Sequence, residues 1–374
     1  MQTSTEDETQ RLVKEGARGF LAARHSLARV RQMRAVASGY EREVWSALAE
    51  AGWLGLRVPE ALGGGAMSVR ETVALCEVFG EVLLPEPFVA CALVPSMLVA
   101  GSGNTTLRAT LLPGVVGGSG VLTLAWQEKP FELEPGTCEA ILVGTDSGLK
   151  LDGTKRFVAA AVGADGYLVT CKRDGTLALV HVPSSAAGIT LTPQRLIDGS
   201  VAATLVFEGV ALTAADVLAE GGSADALLGR VLDEATLAVS AMLLAQAGCA
   251  WKVSIDYMKQ RVQFGRAIGT FQALQHRAVD LAIQCTLAGA TLRHAVHAYE
   301  VEAAAARADI SAAKALCSRA ADTVARVAIQ MHGGIGYTDA ADIGLYLKSA
   351  VRLSAYLGTP QAHLRRFMTV QAAA

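Results

Sequence analysis

A charged, glycine-containing segment at the end of a long apolar stretch is the first place where this sequence could bind a ligand. An apolar run extends from Leu237 to Ala250, and Arg261 follows about ten residues later. Phe264 and Gly265 come three and four residues after Arg261. A guanidinium group holds an oxyanion with two parallel hydrogen bonds, and a glycine lets a ligand or a second backbone approach closely. Cations are also common at helix C-termini for dipole reasons alone. The residue types therefore suit a phosphate, with a structural role as the alternative.

Two later blocks, together with this one, resemble a known family. The R-x-x-F-G…Q pattern at Arg261, the Q-x-x-G-G-x-G-Y pattern at Gln330 and the Y-x-G-T-x-Q pattern at Tyr356 are similar to signatures of the acyl-CoA dehydrogenases. The blocks occur in the family's order, and the resemblance is strong from about Leu227 onward and weaker before it. It implies FAD-dependent α,β-desaturation of an acyl-CoA thioester, as in fatty acid or sterol side-chain β-oxidation.

The resemblance also assigns cofactor-binding residues. In the family, FAD is shared between subunits: one subunit's barrel holds the isoalloxazine ring, and its neighbour's bundle holds the adenylate and pyrophosphate end. The residues that the resemblance places on the adenylate and pyrophosphate side are Arg261, Phe264, Gln272, Gln330, Gly333, Gly334, Thr359 and Gln361. In isolation, a helix C-cap explains Gly333 and Gly334 equally well. Thr359 and Gln361 lie near the start of a predicted helix, which is a natural anion site.

The residues that would hold the flavin ring and act as the base depart from the family pattern. Leu124–Pro130 stands where the family has a T-E-P-x-x-G-S-D loop, and Phe157–Ala159 stands where it has W-[IV]-[ST]. Leu357 occupies the position of the usual glutamate and cannot accept a proton. Some members carry the base near the start of the first bundle helix, where this chain has Ala235. Glu234 is one residue away, about 100° round the helix, so the catalytic residue is unknown.

Three functions fit these residues. The chain most resembles the less active subunit type of heteromeric acyl-CoA dehydrogenases that act on bulky or unusual groups, such as sterol side-chain or dicarboxylic thioesters. In that arrangement it lends the adenylate half-site to a second subunit. The alternatives are a homo-oligomeric enzyme that uses Glu234 and a non-redox acyl-CoA-binding or assembly protein. The expected partners are an acyl-CoA substrate, a homo- or hetero-tetramer with a second acyl-CoA dehydrogenase subunit, and an electron-transfer acceptor protein.

Composition disfavours several other classes of protein. The net charge is −2 and 18% of residues are charged, so no basic face predicts binding to nucleic acid or an anionic membrane. No stretch has the ~20 apolar residues of a membrane span, and the acidic N-terminus differs from a signal peptide, so we expect a cytoplasmic protein. The 7 cysteines form no C-x-x-C pair and the 7 histidines show no metal-binding spacing. We therefore predict reduced thiols and no metal.

The elements that must position these residues follow from hydrophobic period. The predicted domains are 1–113, helical; 114–219, β; and 220–374, a helical bundle. The period predicts helices at Glu6–Ala22, Glu41–Ala51, Ser68–Phe79, Phe88–Val99, Ala224–Gln260, Gln272–Val301, Ile310–Met331 and Gly358–Gln371. Short β-rich runs, some joined by turn signals such as Thr145–Gly148, predict a small antiparallel barrel or sandwich. No G-x-G-x-x-G follows a strand, which argues against a Rossmann domain. The fold class is α+β, mostly α: an N-terminal helical domain, a middle β-barrel and a C-terminal four-helix bundle.

Two local features of the bundle carry further expectations. Leu237–Ala250 is uncharged and too apolar to face water, and alanine-rich helices pack closely, which predicts that the bundle is the core of an oligomer. Thr270 stands before the next helical period and is the expected N-cap.

Overall fold

The computed structural model describes residues 7–130, 132–146 and 148–373. In this part of the chain the α-helices are α1 Glu8–Ala22, α2 Leu27–Met33, α3 Arg42–Glu50, α4 Val69–Glu81, α5 Val94–Ala100, α6 Thr105–Val116, α7 Gly221–Gln260, α8 Gln272–Val301, α9 Arg307–His332, α10 Ile343–Ala355 and α11 Pro360–Ala373. The strands are β1 Leu122–Ala125, β2 Ile141–Thr145, β3 Gly148–Ala159, β4 Gly166–Arg173, β5 Thr176–Pro183, β6 Ile189–Arg195, β7 Val201–Leu212, β8 Val217–Glu220, β9 Val262–Gln263 and β10 Arg266–Ala267. This order of helices, strands and helices confirms the α+β fold class.

The chain forms two compact units. The bundle unit comprises Met1–Val30, Val69–Leu84 and Thr236–Ala374, and the sheet unit comprises Arg31–Ser68 and Pro85–Ala235. Both units therefore draw on segments that are distant in sequence. The division into domains 1–113, 114–219 and 220–374 stays a prediction. Among the described residues, no helix has the length and apolar character needed to cross a membrane.

In the bundle unit, α8, α10 and α11 all pack against α9. The buried face of α9 is rich in alanine, including Ala313, Ala320 and Ala328, which favours helix and lets neighbouring helices approach closely. At the other side of α8, the Trp251 Nε1 of α7 donates to the Ala278 carbonyl over 2.8 Å. The predicted C-terminal helices correspond to α7, α8, α9 and α11. The sequence analysis missed α10, although its Leu345, Ser349 and Leu353 follow a helical period.

The helices α1 and α4 complete the bundle unit. Asp7 caps α1 with a capping box that includes Gln10, so the helix begins at Glu8; the predicted first residue, Glu6, lies outside the described residues. In α4, a Cβ on Gly80 would lie 2.5 Å from the Met242 carbonyl oxygen of α7. Only glycine therefore permits the observed approach of these two helices.

The sheet unit is built on one sheet with the strand order β6-β7-β3-β2-β4-β5-β8, and β1 pairs with β4 outside that path. Most neighbours are antiparallel, as predicted, but β1 and β2 both pair with β4 in parallel. The predicted turn joins β2 to β3 with Thr145 paired to Gly148; its Ser147 lies outside the described residues. The sequence analysis missed β6, whose Pro193 and mostly exposed residues hide the strand pattern, and the short β8.

Candidate functional site

A tight hairpin follows α7 and carries the first predicted site residues. The N–H of Arg261 donates to the Tyr257 carbonyl over 2.8 Å and closes the last turn of the helix. The strands β9 and β10 then pair around Phe264 and Gly265, whose φ angles are +54° and +76°. Positive φ at both central residues is the requirement of a type I′ hairpin turn, which is easy for glycine and strained for phenylalanine. The hairpin thus holds Phe264 in a conformation that it rarely adopts.

The tip of this hairpin presents an aromatic pair and a cation. Phe264 is 90% exposed and meets the edge of the Phe271 ring at a centroid distance of 6.1 Å. The guanidinium of Arg266 also lies over the Phe271 ring, 4.2 Å from its centre. Phe271, not Thr270, is the N-cap of α8, because the Thr270 hydroxyl turns back to donate to the Ala267 carbonyl. The expectation of a threonine cap was wrong, and Gln272 is the first residue of α8.

An aromatic contact brings the end of α9 to the end of α7. The Tyr257 and His332 rings stack with a centroid distance of 4.3 Å, and the Tyr257 hydroxyl donates to the His332 carbonyl over 3.2 Å. Since Tyr257 also accepts the N–H of Arg261, this contact places Arg261 close to the start of the glycine block. Nothing in the three sequence blocks indicates Tyr257, because its partner is 75 residues away.

Gly334 is exposed at the start of this block. A Cβ placed on Gly334 would have no atom within 4 Å, and its φ is not in the left-handed region. By contrast, a Cβ on Gly336 would lie 2.7 Å from the Ile329 carbonyl oxygen. The fold therefore requires glycine at 336 and leaves open space at 334. Gln330 and Gly333, also exposed, flank the same space.

The last two predicted residues lie elsewhere on the bundle. Thr359 is the residue before α11, and its hydroxyl accepts the Ala362 N–H over 3.3 Å. The adjacent Gly358 carbonyl accepts from Lys314, which precedes Gln330 by sixteen residues, or about 24 Å along α9. Thr359 and Gln361 therefore do not join the group around Arg261 within one chain. A ligand that touches both groups must be long or must lie between subunits.

The turn before α11 contains the position of the missing glutamate. Leu357 is buried and has a φ of +57°, and Gly358 follows with a φ of +101°. A leucine in the left-handed region costs free energy, so the surroundings must hold it there. The side chain that replaces the expected acid is a hydrocarbon, which gives this position no proton acceptor.

Two buried basic residues hold that turn. The Lys314 ammonium donates to the carbonyls of Leu353, Ser354 and Gly358, each over 3.1 Å. Burial lowers the pKa of Lys314 to about 7. The contacts act in the opposite direction, because three carbonyls match the three N–H groups of the protonated form. His363 Nε2 lies 2.8 Å from the Leu357 carbonyl, which can only accept, so Nε2 carries the proton. The sequence analysis singled out neither residue.

His363 is neutral in this arrangement. Its Nδ1 lies 3.3 Å from the Ser311 hydroxyl, and that hydroxyl accepts from Arg366 Nε over 2.6 Å. Ser311 therefore donates to an unprotonated Nδ1. Burial, followed by the nearby charges of Lys314 and Arg366, lowers the pKa of His363 to about 3.

Glu234, the alternative base, is held by an arginine in the sheet unit. Its carboxylate is fully buried and binds Arg57 Nε over 2.5 Å and Nη2 over 2.9 Å. Arg57 also donates to the Met67 carbonyl. The bidentate guanidinium occupies lone pairs of this buried carboxylate, which leaves it less accessible to a substrate proton. The sequence separation of 177 residues concealed this pairing.

The loop at the position of the flavin loop is closed by its own carboxylates. Glu132 accepts the backbone N–H groups of Glu128 over 2.7 Å and of Lys129 over 3.0 Å. Trp126 and Gln127 are buried. The backbone N–H groups of Glu128 and Lys129 are therefore already bound within the loop.

The Glu128 carboxylate binds a second set of donors in the same region. Its carboxylate accepts from the N–H groups of Glu139 and Ala140 over 2.5 and 2.9 Å, and from Lys155 Nζ over 2.6 Å. Burial would raise the pKa of Glu128, but these hydrogen bonds outweigh burial and hold the pKa below its usual range. On the neighbouring strand, Phe157 has a φ of +56° at a bulge in β3. The residue at the expected hydroxyl position, Ala159, offers only backbone, and its carbonyl accepts from Thr123.

Whether FAD fits depends on the cations and N–H donors that are available in the bundle and in the sheet loop. A diphosphate needs cations and N–H donors; among the described residues Arg261 and Arg266 form no ion pair, and Gly334 faces open space. The bundle residues therefore fit the adenylate and diphosphate end. The pyrimidine edge of a flavin carries acceptor carbonyls, and in the sheet loop the N–H groups of Glu128 and Lys129 are already bound by Glu132. These two donors therefore do not fit the ring.

The amino-acid sequence matches two family profiles. The profile for the acyl-CoA dehydrogenase N-terminal domain matches residues 7–119, and the profile for the C-terminal domain matches residues 225–370. Together they cover more than half of the chain, and the second includes every predicted cofactor residue.

Similar proteins extend this match along the whole chain. The acyl-CoA dehydrogenase IpdE2 of Mycobacterium tuberculosis is 29% identical over 364 residues, 97% of each chain. A structure described as a Tcur3481-Tcur3483 steroid ACAD variant is 30% identical, with 98% of each chain covered and a TM-score of 0.88. The ChsE4-ChsE5 complex from M. tuberculosis is 25% identical, with full coverage of both chains and a TM-score of 0.89. The chain therefore belongs to the acyl-CoA dehydrogenase family of FAD-dependent oxidoreductases.

Proposed function

We propose that this chain is a subunit of a heteromeric acyl-CoA dehydrogenase and contributes the adenylate half of the FAD site to a partner subunit. The observation that carries the proposal is the contrast between the two regions that would hold the cofactor. The hairpin after α7 has two arginines without an ion pair among the described residues, whereas the loop at Glu128–Glu132 binds its own donors.

The reaction class sets what a partner must supply. Desaturation removes a proton from the carbon next to the thioester carbonyl and a hydride from the following carbon, which bound FAD accepts. In this chain the expected base position holds Leu357, and Glu234 is bound to Arg57. The partner would therefore provide both the carboxylate and the site for the flavin ring. The electrons would pass to an electron-transfer protein.

The names of similar proteins support both the assembly and the substrate class. One solved relative is described as a complex of two proteins, ChsE4 and ChsE5, and another as a steroid acyl-CoA dehydrogenase with two named components. We propose a bulky acyl-CoA thioester, such as a sterol side-chain derivative, as the substrate of the assembled enzyme. A dicarboxylic thioester is the alternative substrate.

Two other functions make different predictions. A homo-oligomeric enzyme would need Glu234 as its base, which requires Arg57 to release a buried carboxylate, and breaking a buried pair costs about 3–5 kcal/mol. A non-redox acyl-CoA-binding or assembly protein would need no FAD at all. The free arginines and the open space at Gly334 favour a cofactor-binding role over that alternative.

The flavin spectrum of the purified protein separates these three functions. The chain would be purified alone and together with a candidate partner, a second acyl-CoA dehydrogenase subunit from the same genome. We expect bound flavin only in the complex. A full flavin content in the chain alone, with turnover, would favour the homo-oligomeric enzyme. Absence of flavin from both preparations would favour the non-redox function.

A further inference from the structure

We propose that Arg266 is a second phosphate ligand, so that Arg261 and Arg266 together hold the diphosphate of an ADP-containing cofactor. The proposal rests on the proposed function and adds to it a residue that none of the three sequence blocks assigns. It also gives a reason for the hairpin that separates α7 from α8.

The register of the hairpin places both guanidinium groups on one face. Arg266 pairs directly with Gln263, and the Ile268 N–H donates to the Arg261 carbonyl over 2.8 Å, which continues the pairing by one position. Side chains alternate between faces along a strand, and directly opposed residues share a face. Arg261, Gln263 and Arg266 therefore point to the same side. Arg261 and Arg266 are diagonal neighbours, which in an antiparallel pair lie about 7–8 Å apart.

Neither arginine is neutralised by the fold. Both are exposed, and among the described residues neither forms an ion pair or a side-chain hydrogen bond. Like charges on neighbouring hairpin positions repel one another. A bound diphosphate, which carries one negative charge or more on each phosphate, turns this repulsion into attraction. Two phosphates also match two planar guanidinium forks.

Phe271 orients the second guanidinium. The guanidinium carbon of Arg266 lies over the ring, 4.2 Å from its centre, and among the described residues its N–H groups donate to no other side chain or carbonyl. Phe264 fixes the Phe271 ring from the side. A purely structural role would require only the contact between the guanidinium and the ring, to which the positive charge of an exposed arginine adds little. The charge and the free donors are better explained by an anion.

The test titrates ADP and AMP into the purified full-length chain by calorimetry. Arg266→Met keeps an apolar side chain over Phe271 and removes the charge, Arg261→Met is the positive control, and Arg293→Met removes an exposed arginine on α8. We expect Arg266→Met to weaken ADP binding by about tenfold or more and AMP binding by less, since AMP has only one phosphate. Arg293→Met should bind both nucleotides like the wild type. Arg266→Lys should recover part of the affinity for ADP. Added salt should weaken ADP binding more steeply in Arg266→Lys than in Arg266→Met.

The outcomes distinguish this inference from the proposed function. If the wild-type chain binds ADP and Arg261→Met loses it, but Arg266→Met binds like the wild type, the role of Arg266 is refuted and the half-site stands. If the wild-type chain and its complex bind neither ADP nor FAD, the proposed function itself fails. Equal loss of AMP and ADP binding and a lowered melting temperature in Arg266→Met, with binding recovered in a folded Arg266→Gln variant, would assign Arg266 to the hairpin structure alone.

Discussion

Gly334 and Gly336 are two residues apart, yet they are glycines for different reasons. A side chain at 336 would collide with the Ile329 carbonyl oxygen, whereas a side chain at 334 would enter open space. We expect Gly334→Ala to leave the melting temperature of the chain nearly unchanged and to weaken FAD binding in the complex. Gly336→Ala should lower the melting temperature because backbone must move. Equal FAD binding by Gly334→Ala and wild type would remove this glycine from the site.

Arg261 is the residue on which the cofactor assignment most depends. Its guanidinium has no acidic partner among the described residues, and the Tyr257–His332 contact holds it close to the glycine block. We expect Arg261→Ala to weaken FAD binding in the complex by about 10- to 100-fold, the usual value of a charge-assisted hydrogen-bond pair. Flavin content after gel filtration measures this loss. Arg293→Ala, which removes an exposed arginine on α8, should retain flavin; unchanged content in both variants would place Arg261 outside the site.

At the scale of the elements, the sequence predicted most of those with a clear period, with α10 as an exception, and missed strands without one. The bounds of α8 match the prediction, and α7, α9 and α11 differ from it by a few residues, because apolar residues recur at helical spacing along each. The strand β6 went unpredicted, since its exposed residues and Pro193 carry no alternation. Two parallel pairings of β4 also could not be read from local pattern, which specifies strands but not their neighbours.

The candidate site divides in the same way. The blocks around Arg261 and Gln330 could be recognised because their residues are close in sequence. The pairing of Glu234 with Arg57 and the closure by Lys314 depend on contacts across 177 and about 40 residues. The family resemblance also grouped Thr359 with Arg261, whereas α9 separates the two within one chain. Local chemistry is therefore predictable, and its assembly is not.

The turn at Leu357 gives a prediction about pH. The pKa of His363 is about 3 in the folded chain against an ordinary value of 6.5. As the pH falls from 6.5 to 3, the unfolded chain takes up a proton that the folded chain refuses, so protonation favours unfolding. We expect this residue to lower the free energy of unfolding by about 1.4 kcal/mol per pH unit in that window and not above it. Urea titrations of His363→Asn between pH 4 and 7 should show a flatter dependence; His297→Asn, on the surface of α8, should match the wild type.

At the scale of the whole molecule, the bundle stays the predicted core of an oligomer, but the stretch from which that prediction was argued is covered within the single chain. Within Leu237–Ala250, the side chains of Leu237, Leu243 and Ala247 are at most 1% exposed in the single chain, so this run needs no second subunit to cover it. An exposed apolar stripe, formed by Val279, Ile283 and Leu287, lies on α8. It lines an open groove of about 480 Å³ beside α7.

This stripe predicts an effect on assembly. Val279, Ile283 and Leu287 recur every fourth residue with exposures of 57%, 51% and 60%, which is more apolar surface than a helix usually leaves to water. We expect Ile283→Asp to shift the oligomer towards smaller species in sedimentation velocity at micromolar concentration. Leu12→Asp, at an isolated leucine on α1 with 55% exposure, is the matched control and should not. A wild-type monomer, with and without partner, would contradict the prediction.

The division of labour between subunits predicts that this chain alone has no measurable acyl-CoA dehydrogenase activity. Loss of a general base by itself costs about 10²- to 10⁴-fold in rate, which could leave detectable turnover. Here the loss at Leu357 is combined with a loop whose donors are bound by Glu132. Hydride transfer requires the reacting atoms within about 3–3.5 Å, so a flavin ring that is not held cannot react efficiently.

Restoring the acid should therefore not restore the reaction. The buried turn held by Lys314 and His363 would carry a glutamate in Leu357→Glu, but the sheet loop would remain closed. We expect neither the wild type nor Leu357→Glu to oxidise a panel of saturated acyl-CoAs when the chain is expressed without partners, supplied with FAD and assayed with an electron acceptor. Turnover by Leu357→Glu alone would show that the ring site is intact. Robust turnover by the wild type would defeat the half-site proposal, and its loss in Glu234→Gln with unchanged flavin content would then identify the base.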